Sequence, residues 1–354
     1  MGIGHAREHT YGHSGTSGPD GAEEGARLDR AAVERAGRRL ADRVWRTPVL
    51  RCEPLDTRCG ARLWLKAENL QRGGSFKVRG ALLAVEHLAM SGSRGVIAQS
   101  TGNHAIAVAL AARQYGLPAV VVLPTDAPPA KIHRIREAGA EVVTAGTLLA
   151  DRVAAVSDLR GTLGYDVIDP YQNPHVVAGQ GTATAELLDQ AAEQGARLDA
   201  VVVPVGGGSA IAGACLTAEG REVAVVGAEP QAVPALTTAL RADRPVTVTA
   251  GYTIADGLRP DRIGALPFTI ARGAVAAVET VSEEAIAEAM RAAFLHARLV
   301  IEPAAAAALA AALEHASRLG TDVGVLLSGG NVEPSLAAAL LAGQEVSAPD
   351  TAAV

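Results

Sequence analysis

The chain has 354 residues, with 32 Lys and Arg set against 38 Asp and Glu for a net charge of −6. The charges are mixed along the sequence without a basic block or basic–aromatic stripe, so the footprint of a nucleic-acid binder is missing. Apolar residues make up 49% and aromatics only 3%, a composition of small packed helices and buried strands at a length that calls for a large α/β unit or two domains.

Residues 1–25 are rich in Gly, His, Ser and acid and read as a disordered tail. His5, His9 and His13 are four apart and would align on a helix, but the glycines around them oppose that helix, and no metal is expected. The start has no apolar signal core, and Ala6 stands where a myristoylation signal at Gly2 wants Ser or Thr. The segment LDRAAVERAGRRLADRVW has apolar residues on one face and arginines on the other, a helix that stops before Thr47-Pro48. Six short apolar runs read as buried strands: 95–100, 119–124, 141–145, 200–205, 223–229 and 323–328. Helical stretches such as HAIAVALAARQYG and PAKIHRIREAGA separate most of them, and that alternation means parallel sheet with helices on its faces. Cys52, Cys59 and Cys215 form no CxxC pair and are odd in number, the pattern of unpaired thiols in a reducing compartment. No stretch approaches the ~20 apolar residues of a membrane span, and the residues from about 344 onward read as a second loose tail. A soluble, cytoplasmic protein with no membrane or nucleic-acid partner is expected.

Four Gly-rich or polar turns run from strands into helices: GGSFKVRG (73–80), STGNHA (100–105), VGGGSAIAG (205–213) and LSGGNVE (327–333). In open α/β sheets that edge is where ligands bind, because helix N-termini present free N–H groups there. A single glycine cluster is as well explained by a tight turn. Four in one chain point to a ligand site.

These turns, together with RTPVL (46–50), KAENLQRGGSFKVRGA (66–81), NPHVVAGQGT (173–182), PVGGG (204–208), TIADG (253–257) and IEPAAA (301–306), resemble the fold-type II pyridoxal-phosphate enzymes, in particular the serine/threonine dehydratase and serine racemase branch. The match runs from about residue 47 to 335. The resemblance implies two open parallel-sheet α/β domains with the cofactor in the cleft: a large one from 26–77 and 173–343, and a small one from 78–172. It implies that Lys77 forms the Schiff base with pyridoxal 5′-phosphate, that Phe76 flanks the ring, and that Gly206, Gly207, Gly208 and Ser209 cradle the phosphate through backbone N–H groups. Ser209 stands where many members have a fourth glycine. Asn103 is expected at the phenolic oxygen of the ring and Ser328 at its nitrogen. A neutral hydroxyl there does not enforce protonation and leaves a milder electron sink. Ser100, Thr101, Asn103 and His104 are expected to grip the substrate carboxylate, with Arg152 as a second carboxylate ligand.

The implied chemistry is β-elimination from a small β-hydroxy amino acid such as L-threonine or L-serine. Lys77 takes the Cα proton, the hydroxyl leaves with proton help from the cofactor phosphate, and the product hydrolyses to a 2-oxo acid and ammonia. Serine racemization is the same-site rival, and larger substrates such as hydroxyaspartate, phenylserine or an ectoine-derived amino acid need only a changed pocket. A non-catalytic ligand-sensing relative is a rival of another class, opposed by the joint presence of Lys77, Asn103, the glycine loop and Ser328. Three departures from the racemase pattern favour elimination. Thr101 replaces the serine that acts on the second face, and its methyl limits its rotamers. Tyr171 matches the aromatic found in many dehydratases, where a racemase has Asn. Ala235 stands where a racemase's divalent-ion site has Asp six residues after Glu229, so no metal site is expected. A homodimer is expected as well.

Overall fold

The computed structural model describes residues 28–344. The expectations for residues 1–25, including His5, His9 and His13, and for 345–354 lie outside the described residues. Among the described residues ten strands occur in the order β1 Val49–Leu50, β2 Arg62–Ala67, β3 Val96–Gln99, β4 Ala119–Leu123, β5 Glu141–Thr144, β6 Asp166–Val167, β7 Ala200–Pro204, β8 Ala224–Pro230, β9 Val275–Val281 and β10 Asp322–Leu327. They divide between two sheets, β1-β2-β10-β7-β8-β9 and β5-β4-β3-β6. Every pairing is parallel except β1 with β2. Each of the six apolar runs is a strand, three in each sheet. The second sheet draws all its strands from 96–167, inside the 78–172 segment.

Among the described residues thirteen α-helices accompany the sheets. The first seven are α1 Arg30–Leu40, α2 Glu53–Cys59, α3 Lys77–Met90, α4 Asn103–Gln114, α5 Pro129–Ala138, α6 Leu149–Leu163 and α7 Pro174–Glu193. They continue with α8 Ser209–Ala218, α9 Ala235–Ala242, α10 Ala265–Ala271, α11 Glu283–Ala292, α12 Pro303–Leu319 and α13 Pro334–Leu341. The Asp29 side chain caps α1 by accepting from the Ala32 N–H. That helix ends at Leu40, short of the expected Trp45. Helix α12 runs through the core of the large sheet on a near-continuous row of buried alanines, small enough to lie close to the strands.

Helix α7 joins the two halves, and its glycines explain the NPHVVAGQGT stretch. A Cβ on Gly179 would lie 2.6 Å from the Gly80 Cα of α3, and one on Gly213 of α8 would lie 2.5 Å from the Gly181 nitrogen. Backbones this close leave no room for any side chain, so α3, α7 and α8 pack as a tight triplet. The first residues of α3 and α8 are thereby held beside one cleft.

Candidate active site

Lys77 is the first residue of α3, and its placement is set from the far end of the chain. The Phe76 N–H donates to Ser328 O (3.0 Å), the Gly330 N–H donates to Gly74 O (2.9 Å), and Ser75 forms an antiparallel bridge with Gly329. The SFK segment is thus stitched against the SGGN turn at the end of β10. Two residues further in, the guanidinium of Arg79 is fully buried and paired with Glu68 and Glu186. Buried Lys66 donates to Thr47 O, Glu186 and Gln190 at 2.7–2.8 Å. Two cations and two carboxylates offset each other there, with the remaining hydrogen-bonding capacity met by Thr47 and Gln190, as buried charges require. This network is the physical content of the KAEN…SFKVRG pattern.

The Lys77 Nζ lies 3.1 Å from Ser209 Oγ, 3.5 Å from Pro170 O and 5.0 Å from the centre of the Phe76 ring. Burial pushes its pKa down to about 8, while the charges of Asp169 and Glu302 pull it back up. The amine therefore has an accessible neutral form near physiological pH, which a nucleophile or base needs.

The amine faces the start of α8, where Gly208 precedes Ser209 with φ +103° and no side chain caps the helix. The loop has no room for side chains. A Cβ on Gly208 would lie 2.6 Å from Pro267 Cβ, and one on Gly207 would enter the Tyr171 ring. The 206–209 backbone thus offers uncapped N–H groups at a helix N-terminus, the arrangement that binds phosphate.

A second N-terminus enters from the small sheet. Asn103 is the first residue of α4, and Ser100, Thr101, Gly102, Asn103 and His104 all line a cavity of about 300 Å³ shared with Phe76, Lys77, the 206–209 loop and Ser328. The Ser100 hydroxyl accepts from the Gly102 N–H (3.2 Å) and fixes the loop. His104 is buried, its Nε2 is 3.0 Å from Ile168 O, and its Nδ1 has no partner. Because a carbonyl only accepts, Nε2 carries the proton and Nδ1 is bare. Burial and the Lys77 charge drive the His104 pKa down to about 3. The imidazole is therefore neutral and offers no positive charge to a carboxylate. Its contribution to such a site is its backbone N–H.

Arg152, expected as a second carboxylate ligand, is not among the residues lining the cavity. Its guanidinium donates to Thr147 O and Leu148 O at the start of its own helix α6 (3.2 Å each), where local carbonyls satisfy it. The cavity wall carries two other cations, Lys131 and Arg134 on one face of α5, paired with Asp256 (2.7 Å) and, loosely, with Glu333 (3.9 Å). Their i, i+3 spacing after the AVVVLP strand was the available sequence signal. Tyr171, Glu302 and Asn331 also line the cavity. The last two lie within quoted motifs but had no assigned role.

Glu229 is buried and its two oxygens accept from Leu236 N (2.6 Å), Thr237 N (3.0 Å) and Thr237 Oγ1 (2.8 Å), capping α9. Among the described residues no group of three or more His, Cys, Asp or Glu is placed to hold a metal ion, and no helix is long and apolar enough to cross a membrane.

Two open sheets of parallel strands share one cleft, with a buried lysine and two helix N-termini lining it, the arrangement of an α/β fold that binds an anionic ligand at the strand ends. Residues 40–329 match the family described as pyridoxal-phosphate dependent enzyme. The chain is 38% identical over 314 residues to the L-threo-3-hydroxyaspartate ammonia-lyase of Saccharomyces cerevisiae, covering 88% of this chain and 95% of that one. It is 36% identical over 314 residues to the serine racemase of Arabidopsis thaliana, covering 86% and 93%. Among solved structures, a threonine deaminase from T.th. superposes with a TM-score of 0.82 at 43% identity, covering 86% of this chain and 99% of that one. The chain belongs to the fold-type II pyridoxal-phosphate dependent enzymes, in the branch that holds these ammonia-lyases and serine racemases, and pyridoxal 5′-phosphate is its cofactor.

Proposed function

We propose that this chain eliminates water from a small L-β-hydroxy amino acid, L-threonine or L-serine, to release a 2-oxo acid and ammonia. The observation that carries the reading is a buried amine with a pKa of about 8 held between two uncapped helix starts. It is a base poised between an anion cradle for the cofactor and another for the substrate.

In this reading Lys77 is the residue that binds the cofactor. Phe76 would flank the ring, Gly206, Gly207, Gly208 and Ser209 would hold the phosphate, Asn103 would donate to the phenolic oxygen, and Ser328 would meet the ring nitrogen. The residues fit the group: the glycine loop leaves no space for side chains, the donors are N–H and O–H groups, and Ser328 is buried within reach of Phe76. The bound cofactor supplies an electron sink for the charge left when Cα loses its proton. The N–H groups of Ser100, Thr101, Asn103 and His104 hold the substrate carboxylate, and Thr101 lines the same cavity. The Lys77 Nζ takes the Cα proton, with Ser209 Oγ at 3.1 Å keeping it aimed at the loop. The small 78–172 unit closes over bound substrate and excludes water. A cytoplasmic homodimer belongs to the same reading.

Elimination and racemization share the proton removal and differ in whether a donor on the opposite face returns the proton. Thr101 is the candidate donor, and its branched side chain is less free to do so than a serine. Chiral chromatography beside a 2-oxo acid assay tests this: oxo acid is expected faster than D-isomer, and the reverse makes the chain a racemase. Thr101→Ala is expected to suppress D-isomer while leaving most elimination intact. A second reading, a hydroxyaspartate-type substrate, is favoured by Lys131 and Arg134 on the cavity wall. A panel of β-hydroxy amino acids assayed for 2-oxo acid release separates the two.

A further inference from the structure

Asn103 is held by an unbroken run of hydrogen bonds whose direction is forced from both ends. At one end Gly73 O, which only accepts, takes a bond from Asn331 Nδ2 at 2.7 Å. That fixes Asn331 with its amide nitrogen toward Asn103, where it donates to Asn103 Oδ1 at 2.8 Å. Asn103 must therefore present its own nitrogen on the other side, and there Nδ2 lies 2.8 and 3.0 Å from the two oxygens of Glu302. Amide orientations are ordinarily ambiguous. Here a carbonyl at one end and a carboxylate at the other leave one solution.

Glu302 immediately precedes α12 in the large half without capping it through its side chain, its N–H donates to Gly329 O (3.0 Å), and a Cβ on Gly329 would lie 2.6 Å from its Oε1. Asn103 opens α4 in the small half. The three residues thus cross the cleft in which Lys77 lies.

We propose that Glu302 is a positioning residue: together with Asn331 it locks the Asn103 amide so that its second N–H is presented to the cavity, and it places a negative charge behind that amide. This rests on the reading above that the cofactor is bound at Lys77 with its phenolic oxygen near Asn103. A lone asparagine there has two amide orientations, one offering an acceptor that repels a phenolate. The lock removes the wrong one, so the binding energy is not reduced by sampling it.

The charge has a second consequence. Burial, and to a lesser extent the nearby charge of Asp256, raise the Glu302 pKa to a net value of about 7. The Asn103 hydrogen bond, the Asn331 N–H and the charge of Lys131 oppose the rise. Lys77 feels the same carboxylate, which raises its own proton affinity. Above pH 7 the lock ends on an acceptor-only carboxylate. Below it, the neutral acid has a proton to donate and the constraint on Asn103 weakens.

The test compares the cofactor-loaded wild type with Glu302→Gln, which keeps the shape and one acceptor but loses the charge, and with Asn331→Ala, which keeps the charge but frees Asn103 Oδ1. The measurements are the visible spectrum of the bound cofactor from pH 6 to 9, its retention against dilution, and melting temperature. The wild type is expected to show a spectral transition near pH 7. Glu302→Gln is expected to lose that transition and to hold the cofactor about tenfold more weakly, the size of one charge-assisted hydrogen bond. Asn331→Ala is expected to keep the transition and lose about the same affinity. A Glu302→Gln profile superimposable on the wild type, whatever its melting temperature, overturns the proposal, as does an Asn331→Ala variant with undiminished cofactor retention. If the wild type shows no borohydride-reducible band at all, the cofactor reading falls and the proposal falls with it.

Discussion

Replacing Lys77 with Met is expected to make the cofactor-free protein more stable near neutral pH. Burial lowers the Lys77 pKa from 10.5 to about 8, so the folded state disfavours the protonated amine relative to the unfolded chain. At about 1.36 kcal/mol per pKa unit the penalty is roughly 3 kcal/mol. It is fully present below pH 8, where both states are protonated, fades as pH rises from 8 to 10.5, and vanishes above. Methionine has a similar length and no charge, so Lys77→Met is expected to gain about 3 kcal/mol at pH 7, or about 5 °C in melting temperature for a chain of this size. The gain is expected to shrink toward pH 10.5. Thermal melts of cofactor-free wild type and variant at pH 7 and pH 10 measure both numbers. A variant less stable at pH 7, or equally stabilised at both pH values, refutes the argument that burial of this amine is a strained feature retained for chemistry. The same variant is expected to lose the reducible visible band, and a label recovered on Lys66 or Lys131 instead contradicts the role of Lys77.

Arg79→Met leaves Glu68 buried without its principal counter-charge and is expected to cost about 3–5 kcal/mol in a denaturation experiment, whereas adding Glu68→Met recovers most of it. If the double variant is no better than the single one, the two charges are not coupled. Gly207→Ala forces a methyl into the Tyr171 ring and is expected to weaken cofactor retention, with partial rescue by adding Tyr171→Ala; unchanged retention means the loop has slack. His104, with its pKa near 3, is expected to show no protonation between pH 5 and 9 by ¹⁵N NMR, and a titration in that range means the imidazole is not buried in solution.

Five of the parallel strands, β3, β4, β7, β8 and β10, were legible because they are buried and read as unbroken apolar runs, whereas β5, a partly exposed edge strand, was legible from its Val-Val-Thr run alone. The strands that escaped lack that signature. β2 contains Lys66, a charged residue whose partners Thr47, Glu186 and Gln190 lie outside the strand. β1 and β6 are two residues long, and β9 is a partly exposed edge strand. The cavity-lining turns were legible for a local reason: a glycine-rich stretch between strand and helix is a complete physical unit within a few residues.

What the sequence determined by itself was therefore whatever is encoded within one turn, strand or helix: the α/β alternation, the glycine loop, the SFK and GNH segments and the family they mark. Only the tertiary structure decided which of those segments face one another. It brought Lys131 and Arg134 to the cavity wall, turned Arg152 onto the carbonyls of Thr147 and Leu148 just before its own helix, and neutralised His104 by burial. It also joined Asn103, Glu302 and Asn331 into one directed run. Side-chain orientation, desolvation and pKa depend on neighbours from remote parts of the chain, and a linear pattern carries no distance between them.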